Sequence, residues 1–363
     1  MAILSLSCSQ EGDFYLDLIM IPTISDDPLI CQTLYPFAET RAVQDIRVGI
    51  LTIREKWERI NSLFPALSIP AISVPSNMVP SSAFVDLLSN GAISEDQFHG
   101  HASVRFLEFP WQIFAYNDWA LRDDYKLITA KRHSLPIPES VQTIKSTSIF
   151  VEEGAQMEHC ILNASTGPIY IGKNAEIMEG SIIRGPFSLG EGSVLKMGSR
   201  IYGATSIGPY CVAGGEIKNS VIFSNSNKAH DGYLGDSVIG EWCNIGAGTS
   251  NSNLKNTCSN VKVWNQRTKS FTEAGMKCGL LMGDYSRCAI NTSFNTGTVV
   301  GIAANVFGDG LTPKFIADFS WGIAGEKYEF SKAIRDINNW KKLKNKELTE
   351  QEIQDLKAIF AHT

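Results

Sequence analysis

Length, composition and charge narrow the class of protein. The chain has 363 residues, 44% of them hydrophobic and 19% charged, with 30 glycines and a formal net charge of −6. It is too long for one small core and too apolar for a disordered chain, so we expect two or three folded units. The acidic balance argues against a nucleic-acid partner, because no domain-wide basic surface is present. No apolar run approaches the roughly 18 residues of a membrane helix.

The cysteines and the first residues bear on the cellular compartment. The eight cysteines show neither a C-x-x-C pair nor the spacing of a disulfide framework. The apolar opening Met1–Cys8 lacks the basic start and the long apolar core of a secretory signal. We therefore predict a cytoplasmic protein with reduced thiols.

Residues 1–140 form the first predicted domain, of mixed α/β structure. The strand-like runs Phe14–Ile21 and Ile69–Val74 lie on either side of Ile46–Leu63, whose apolar residues recur at helical spacing. The stretch Pro136–Pro138 then marks a linker, after which the composition changes.

A six-residue repeat organises the second predicted domain, residues 150–322. Apolar residues stand at every sixth position in three series, and glycine follows many of them directly. The positions are Ile171, Ile177, Ile183, Leu189, Leu195, Ile201, Ile207 and Ala213, then Tyr233, Ile239 and Ile245, then Met282, Cys288, Phe294, Val300 and Val306. The interval 213–233 exceeds three steps of six by two residues, which predicts a small extruded loop. The second break predicts a larger loop near 251–281.

The period of six predicts a parallel β-helix. Neither an α-helix nor an ordinary strand repeats at six, whereas a chain that makes one short strand, turns and repeats places one side chain inward per side. Three such sides make a coil of 18 residues, and stacked coils hydrogen-bond along the axis with strands about 4.8 Å apart. A β-sandwich with fortuitous spacing is the alternative. The spacing leaves the handedness of the coil open.

Two cations lie one predicted coil apart. Arg200 and Lys218 are separated by 18 residues within one register, so we expect them to stack at the same corner of adjacent coils. Two like charges at this distance cost free energy unless an anion lies between them. Taken singly, both would be solvated surface cations. The stacking favours a phosphate or sulfate site.

One histidine is a candidate general base. His230 lies in the segment with the irregular spacing, about one coil beyond the two cations, and Asp231 follows it. A neutral imidazole can accept a proton from an attacking amine near pH 7. A polar histidine in a loop is otherwise an ordinary surface residue, so both interpretations stay open at this point.

The chain after about residue 326 changes to helical patterning. Tyr328–Leu343 and Thr349–Ala361 are the two predicted helices, and together they form a helical tail over 326–363. The second helix begins with the capping-box pattern, in which Thr349 and Glu352 each satisfy a free backbone N–H of the other.

The motifs around the histidine resemble a known family. Tyr233-Leu-Gly-Asp236 follows His230 at a spacing of three, and Asn244-Ile-Gly-Ala-Gly-Thr249 comes next. This pattern resembles the acetyltransferase half of the bifunctional UDP-N-acetylglucosamine pyrophosphorylase/glucosamine-1-phosphate N-acetyltransferase family. The resemblance implies a left-handed parallel β-helix of hexapeptide repeats, a homotrimer with active sites between subunits, and an N-terminal nucleotidyltransferase-like α/β domain. It also implies transfer of an acetyl group from acetyl-CoA to glucosamine 1-phosphate.

The resemblance assigns roles to single positions. His230 falls on the catalytic base. The substrate-binding positions are Arg200, Lys218, Tyr233 and Asn244. The positions that contact acetyl-CoA are Ala247, Asn253, Asp284 and Ile302. Leu254 and Asp284 depart from the family pattern, so the identity of the acyl group stays open.

Further stretches are similar to a divergent branch of the family, whose members are sugar-phosphate nucleotidyltransferases. They are Ser252–Asn256, Val263–Trp264, Ile290–Thr292, Phe294–Thr298 and Phe319–Gly322. Leu34–Arg41 and Asp45–Trp57 resemble the entry segment of the same branch.

A working nucleotidyltransferase needs features that the N-terminal part lacks. The missing features are a glycine-rich loop that approaches the phosphates and an Asp that could hold Mg²⁺ in the apolar run near 69–80, whereas Arg41, Arg47 and Lys56 could still supply the phosphate cations. The sequence has no glycine between Gly12 and Gly49. We predict a reduced domain in which Arg41, Arg47 and Lys56 have structural or solvated roles rather than roles as phosphate cations, and Mg²⁺ is expected only if this domain is active.

Three functions are compatible with these observations. The first is an acyltransferase that uses a CoA thioester and an amino-sugar 1-phosphate in nucleotide-sugar biosynthesis. The second is a sugar-1-phosphate nucleotidyltransferase, uridylyl or thymidylyl, with the β-helix as a trimerisation stalk. The third is a non-catalytic scaffold that binds sugar nucleotides. A zinc enzyme is disfavoured, because the repeat region offers only His159 and His230 as histidine ligands.

Overall fold

The computed structural model describes residues 23–25, 27–63 and 73–363. The opening Met1–Cys8 and the predicted strand Phe14–Ile21 lie outside the described residues, and the run Ile69–Val74 is described only from Ser73 onward.

The repeat region is a parallel β-helix with three faces, as predicted. The chain passes from face 1 to face 2 to face 3 in each coil, and each strand pairs in parallel with the strand one coil before it. Face 1 contains Gln142–Ile144, Ile161–Asn163, Ile182–Arg184, Arg200–Tyr202, Glu216–Lys218 and Tyr233–Gly235, continued by the pair Ser250–Asn251 and Ser293–Phe294. Face 2 contains Ile149–Val151, Ile169–Ile171, Phe187–Leu189, Thr205–Ile207, Val221–Ile222, Val238–Ile239, Leu280–Met282, Thr298–Val300 and Phe315–Ile316. Face 3 contains Gln156–Met157, Glu176–Ile177, Val194–Leu195, Val212–Ala213, Asn227–Lys228, Asn244–Ile245, Arg287–Cys288, Asn305–Val306 and Ser320–Trp321, with Glu326–Lys327 antiparallel at the end.

The interior of the coil is filled by the six-residue series. Every residue of the first series, from Ile171 to Ala213, is at most 2% exposed. The third series, from Met282 to Val306, is buried as well. Each large aliphatic side chain removed from water in this way contributes about 1.5–3 kcal/mol, so the repeat itself stabilises the fold.

The repeat fails between residues 213 and 234, and here the predicted loop is wrong. Leu234 points inward at 2% exposure while Tyr233 faces outward. Two corners are short, because Ala213 to Ile217 takes four residues and Ile217 to Ile222 takes five. The interval therefore contains four sides, two of them shortened and two of six residues, rather than three sides and an extruded loop. Gly215 permits the tight corner at φ +73°.

The larger predicted loop is confirmed. The chain leaves face 1 after Asn251, forms an antiparallel hairpin from Lys262–Asn265 and Ser270–Glu273, and returns on face 2 at Leu280. A second excursion, residues 307–314, separates Val306 from the next strand and has no counterpart in the sequence prediction.

The N-terminal part packs on the outer side of face 2. Its helices are α1 (Pro28–Thr33), α2 (Ile53–Leu63), α3 (Ser82–Ser89), α4 (Gln112–Ala115) and α5 (Asn117–Thr129), with 3-10 turns at Val43–Asp45 and Glu95–Gln97. Its strands pair as Thr23–Ser25 with Ser73–Pro75 and as Met78–Val79 with Arg105–Phe106. The outward valines of face 2, including Val221 and Val238, share one apolar cluster with Phe37 and Trp57.

The helix predicted from Ile46 begins only at Ile53. Gly49 adopts φ +87°, and the amides of Ile50 and Leu51 donate to the carboxylate of Asp124 at 2.8 and 3.1 Å. The chain bends at this point because these tertiary hydrogen bonds replace the helical ones.

Two helices follow the β-helix, as predicted. They are α6 (Phe330–Lys342) and α7 (Glu350–Ala361), and the capping box of Thr349 and Glu352 is formed. Their apolar side chains pack on the corner between faces 2 and 3, where they cover Trp242, Tyr285 and Ile302. Within the described residues, the helices are too short or too polar to cross a lipid bilayer.

Candidate active site

The two predicted phosphate ligands lie on the outer surface of face 1, but not in the predicted register. Arg200 pairs with Glu216, and Tyr202 pairs with Lys218. The prediction that the two cations stack directly is wrong, because the short corner before Ile217 shifts the strand by two residues. Arg200 and Lys218 instead lie diagonally on neighbouring strands of one surface that solvent can reach.

Glu216 balances the charge of this surface. Its carboxylate lies 3.8 Å from Nε of Arg200 and accepts a hydrogen bond of 2.6 Å from the hydroxyl of Tyr202. That hydrogen bond, with some burial, raises the pKa of Tyr202 to about 12. Nζ of Lys218 lies 5.9 Å from the centre of the Tyr202 ring. An incoming anion would therefore compete with the Glu216 carboxylate for Arg200.

Tyr233 extends the surface by one coil. It pairs with Glu216, and its hydroxyl accepts a hydrogen bond of 3.2 Å from the amide of Asn253. Asn253 also donates to Asp236, which accepts a second hydrogen bond of 2.6 Å from Asn219. Burial, together with the negative charge of Asp236, raises the pKa of Tyr233 to about 12. Asn253, a predicted contact of acetyl-CoA, thus lies beside Tyr233, a predicted contact of the sugar substrate.

His230 lies on the corner between faces 3 and 1, next to this surface. Its side chain is exposed. Its backbone lies against Gly215, the residue before Glu216, because a Cβ added to that glycine would lie 2.7 Å from the carbonyl oxygen of His230. The corner is held from inside by Lys228, whose Nζ donates to the carbonyls of Gly214 at 3.0 Å and of His230. Burial lowers the pKa of Lys228 to about 8.

Asn244 and Ala247 lie apart from the two cations. Asn244 is on face 3, where it pairs with Asn227 and Arg287. Ala247 lies on the next corner above His230, and its carbonyl accepts the amide of Asn291 at 2.7 Å. Within one chain the structure brings Ala247 near the corner of the histidine, but it does not bring Asn244 onto face 1.

Asp284 and Ile302 are not available as surface ligands in this chain. Asp284 is 2% exposed and accepts hydrogen bonds from Thr40 and Arg41 and, at 2.7 Å, from the amide of Glu241. Ile302 is fully buried beneath the C-terminal helices. The sequence match could not reveal that the chain's own segments cover this corner, so the predicted set of four acyl-CoA contacts is not assembled here.

The three N-terminal cations have partners within the chain. Arg41 pairs with Asp284, and Arg47 donates to the carbonyl of Ile50. Lys56 forms a buried ion pair with Asp124. These contacts agree with structural roles. In the part of the chain that the structure describes, no cluster of three His, Cys, Asp or Glu side chains is arranged to hold a metal ion.

Sequence reasoning missed three groups of this region. Glu216 went unnoticed because the assumed coil of 18 residues paired Arg200 with Lys218. Lys228 occupies an inward position of the repeat, opposite Ala213. The sequence would have shown this if the strand register had been predicted correctly. Arg287 lies beside Asn244 on face 3 and is 9% exposed.

Comparisons with known proteins agree with the predicted resemblance. Residues 23–68 match the family model of sugar nucleotidyl transferases. The bifunctional protein GlmU of Methanocaldococcus jannaschii is 42% identical over 86 residues, which cover 24% of this chain and 21% of that protein. The bifunctional sugar-1-phosphate nucleotidylyltransferase/acetyltransferase of Sulfurisphaera tokodaii is 38% identical over 92 residues, 25% of this chain and 23% of its own length.

Longer matches are weaker. GlmU of Synechococcus elongatus is 22% identical over 281 residues, 71% of this chain and 59% of that protein. Among solved structures, a UDP-N-acetylglucosamine acyltransferase of Arabidopsis aligns with a TM-score of 0.28 and 15% identity, over 61% of this chain and 88% of that chain. That likeness is too low to carry an argument. The chain matches about a fifth of the length of the first two relatives. The comparisons thus confirm the resemblance to bifunctional sugar-1-phosphate nucleotidylyltransferase/acetyltransferases.

Proposed function

We propose that the chain is an acyltransferase that moves an acetyl group from a CoA thioester to the amine of an amino-sugar 1-phosphate. The observation that carries the proposal is the common surface of Arg200, Lys218 and Tyr233 with His230 on the adjoining corner. Cations suited to a phosphate, polar groups suited to sugar hydroxyls and an exposed imidazole lie within successive coils of one face. The relatives named as acetyltransferases support the same reaction class.

In the proposed reaction the sugar phosphate is held at face 1. Arg200 and Lys218 bind the phosphate, and Tyr233 contacts the sugar. His230 takes a proton from the attacking amine while the amine nitrogen forms a bond to the carbonyl carbon of the thioester. The carbon–sulfur bond then breaks, and CoA leaves as the thiolate, which takes up a proton. Backbone amides at a coil corner are the expected donors to the transient oxyanion.

The acyl donor is expected beside Ala247 and Asn253. Both lie next to the corner of His230, whereas Asp284 and Ile302 are covered by the same chain. The fit to a CoA thioester is therefore partial, and the proposal uses only the first two residues. The resemblance implies a homotrimer with active sites between subunits, and within one chain Asn244 lies on face 3 rather than on face 1. Multi-angle light scattering at micromolar concentration is expected to give three times the monomer mass, and a monomer would contradict this arrangement.

The decisive experiment compares two histidines on the same edge of the β-helix. Purified protein is mixed with glucosamine 1-phosphate and acetyl-CoA, and the free thiol is followed. His230→Asn is expected to lower kcat by about 10²–10⁴-fold. His159→Asn is the matched control, because His159 is exposed on the same edge four coils away. Full activity of His230→Asn, or an equal loss in both variants, would remove the base from the proposal.

Nucleotidyl transfer is the second candidate, favoured by the family-model match over residues 23–68. Against it, Arg41, Arg47 and Lys56 already have partners within the chain. Release of pyrophosphate from UTP or dTTP with a hexose 1-phosphate and Mg²⁺ would establish it. Without such release, we infer that the N-terminal part acts as a reduced domain packed on face 2.

A further inference from the structure

A cavity of about 370 Å³ lies between α6 and the outer side of face 3, on a different face from Arg200, Lys218 and Tyr233, and one predicted substrate-binding residue, Asn244, is part of its lining. Its volume falls in the range of small-molecule sites, about 300–1,000 Å³. Its lining is polar and aromatic, from two elements that are far apart in sequence. The residues are Asn244, Arg287, Cys288, Ala289, Asn305, Tyr328, Asp336, Asn339 and Trp340.

Arg287 is a buried cation that forms no ion pair among the described residues, although the carboxylate of Asp336 lines the same cavity and its charge favours the charged guanidinium. It is only 9% exposed, and its Nε has no hydrogen-bond partner. Its guanidinium lies 5.7 Å from the ring centre of Trp340, which belongs to α6. Burying an unpaired charge costs several kcal/mol. A ligand with negative charge would offset that cost.

The groups around Arg287 complete a polar pocket. Asn244 and Asn305 flank it in register on the neighbouring strands of face 3. The nearby carboxylate of Asp336 is engaged, since it accepts hydrogen bonds from Tyr328 at 2.5 Å and from Arg335 at 3.4 Å. The pocket therefore offers one unpaired guanidinium, amide groups that donate and accept, and one aromatic ring.

We propose that this cavity binds a phosphate ester through Arg287, with the ester's organic part against Trp340 and the flanking asparagines. A guanidinium with several amide donors matches the oxygens of a phosphoryl group, and an indole ring packs well on a sugar or an adenine. Two esters share this chemistry, a sugar 1-phosphate and CoA. The assignment does not depend on the role of His230, because it concerns a different face.

Fluorine NMR tests the assignment in the full chain labelled with 5-fluorotryptophan and carrying His230→Asn to prevent turnover. Trp340→Phe assigns the Trp340 resonance. Titrations use glucosamine 1-phosphate, CoA, inorganic phosphate and glucosamine. A saturable shift of the Trp340 resonance with either ester supports the proposal and identifies the ester. No shift with either ester, a shift with inorganic phosphate alone, or an equal shift with glucosamine overturns it.

Variants tie the shift to the cavity. Arg287→Gln is expected to weaken binding at least tenfold, whereas Arg267→Gln, at an exposed arginine of the hairpin far from the cavity lining, is the matched control and should leave binding unchanged. Because Arg287 is buried, Asn305→Ala at a half-buried position provides a second variant, with the same direction expected. Unchanged binding in a folded Arg287→Gln or in Asn305→Ala would overturn the proposal. Acetyl transfer measured in parallel separates this outcome from failure of the proposed function.

Discussion

Arg200 and Glu216 lie opposite each other on neighbouring strands of face 1, with 3.8 Å between Nε and the carboxylate. A substrate phosphate on this surface meets an arginine that already has a partner. Binding is therefore an exchange of one anion for another. Because the side chain of Arg200 is 55% exposed, the ion pair being exchanged is a weak one.

Glu216→Gln is expected to tighten binding of glucosamine 1-phosphate. The amide keeps an acceptor for Tyr202 but removes the charge that competes for Arg200. An exposed ion pair is worth about 0.2–1 kcal/mol, so Kd should fall about 1.4- to fivefold. Isothermal titration calorimetry measures the change. Glu153→Gln, at an exposed ion pair with Lys173 elsewhere on the β-helix, should leave Kd unaltered. Weaker binding by Glu216→Gln would mean that Glu216 contacts the substrate favourably.

Lys228→Met is expected to reduce turnover more than substrate binding. The ammonium holds the carbonyls of Gly214 and His230 from inside the coil, and Met fills the same space without donating. The corner of His230 then loses its anchor, so kcat should fall about tenfold while KM changes less than twofold. Steady-state kinetics with glucosamine 1-phosphate separates the two constants. Lys196→Met, at an outward half-buried lysine two coils below, is the control. An unchanged kcat in Lys228→Met would show that the anchor is dispensable.

Asp124→Ala is expected to destabilise the fold strongly. Asp124 and Lys56 are each 1% exposed, and the carboxylate also accepts the amides of Ile50 and Leu51. Removal of one partner leaves a buried cation unpaired, which costs about 3–5 kcal/mol in the free energy of unfolding. Asp118→Ala on the same helix breaks only an exposed pair with Arg122 and should cost about 0.5 kcal/mol or less. Urea denaturation followed by circular dichroism measures both. Similar losses in the two variants would contradict this account of the N-terminal core.

Glu39 gives the fold a pH dependence of known sign. Burial, with the charge of Asp318, raises the pKa of Glu39 to about 7 from 4.5. The folded state therefore binds more protons than the unfolded state between these values, so the free energy of unfolding falls as the pH rises from about 4.5 to 7. The contribution is at most about 3 kcal/mol.

Glu39→Gln is neutral at every pH and should abolish this slope. At pH 8 the variant is expected to be more stable than the parent chain, while at pH 4.5 the two should be alike. Urea denaturation across the pH range checks this, with the exposed Glu95→Gln as control. A variant that is less stable at pH 8 would show that the carboxylate is stabilising in its charged form.

The repeat and the helix signals were readable from the sequence because they are local. An inward aliphatic residue every sixth position needs only the next coil as its partner, and the capping box of Thr349 and Glu352 closes within four residues. The large hairpin after Asn251 was visible as a break in phase. The short corner before Ile217 was not visible in the sequence. Four sides with shortened corners and three sides with an inserted loop give the same number of residues between inward positions, so the sequence alone cannot distinguish them.

The sequence by itself determined the three-sided parallel coil, its helical tail and the residue types of the candidate site. Only the tertiary structure decided which of those residues share a surface. Corner lengths set whether Arg200 meets Lys218 or Glu216, and they placed Asn244 on a different face. The packing of the N-terminal segment and the C-terminal helices buried Asp284 and Ile302. Such coverage depends on contacts between segments that are far apart in the chain, 243 residues in the case of Arg41 and Asp284, and the periodicity of the repeat does not encode them.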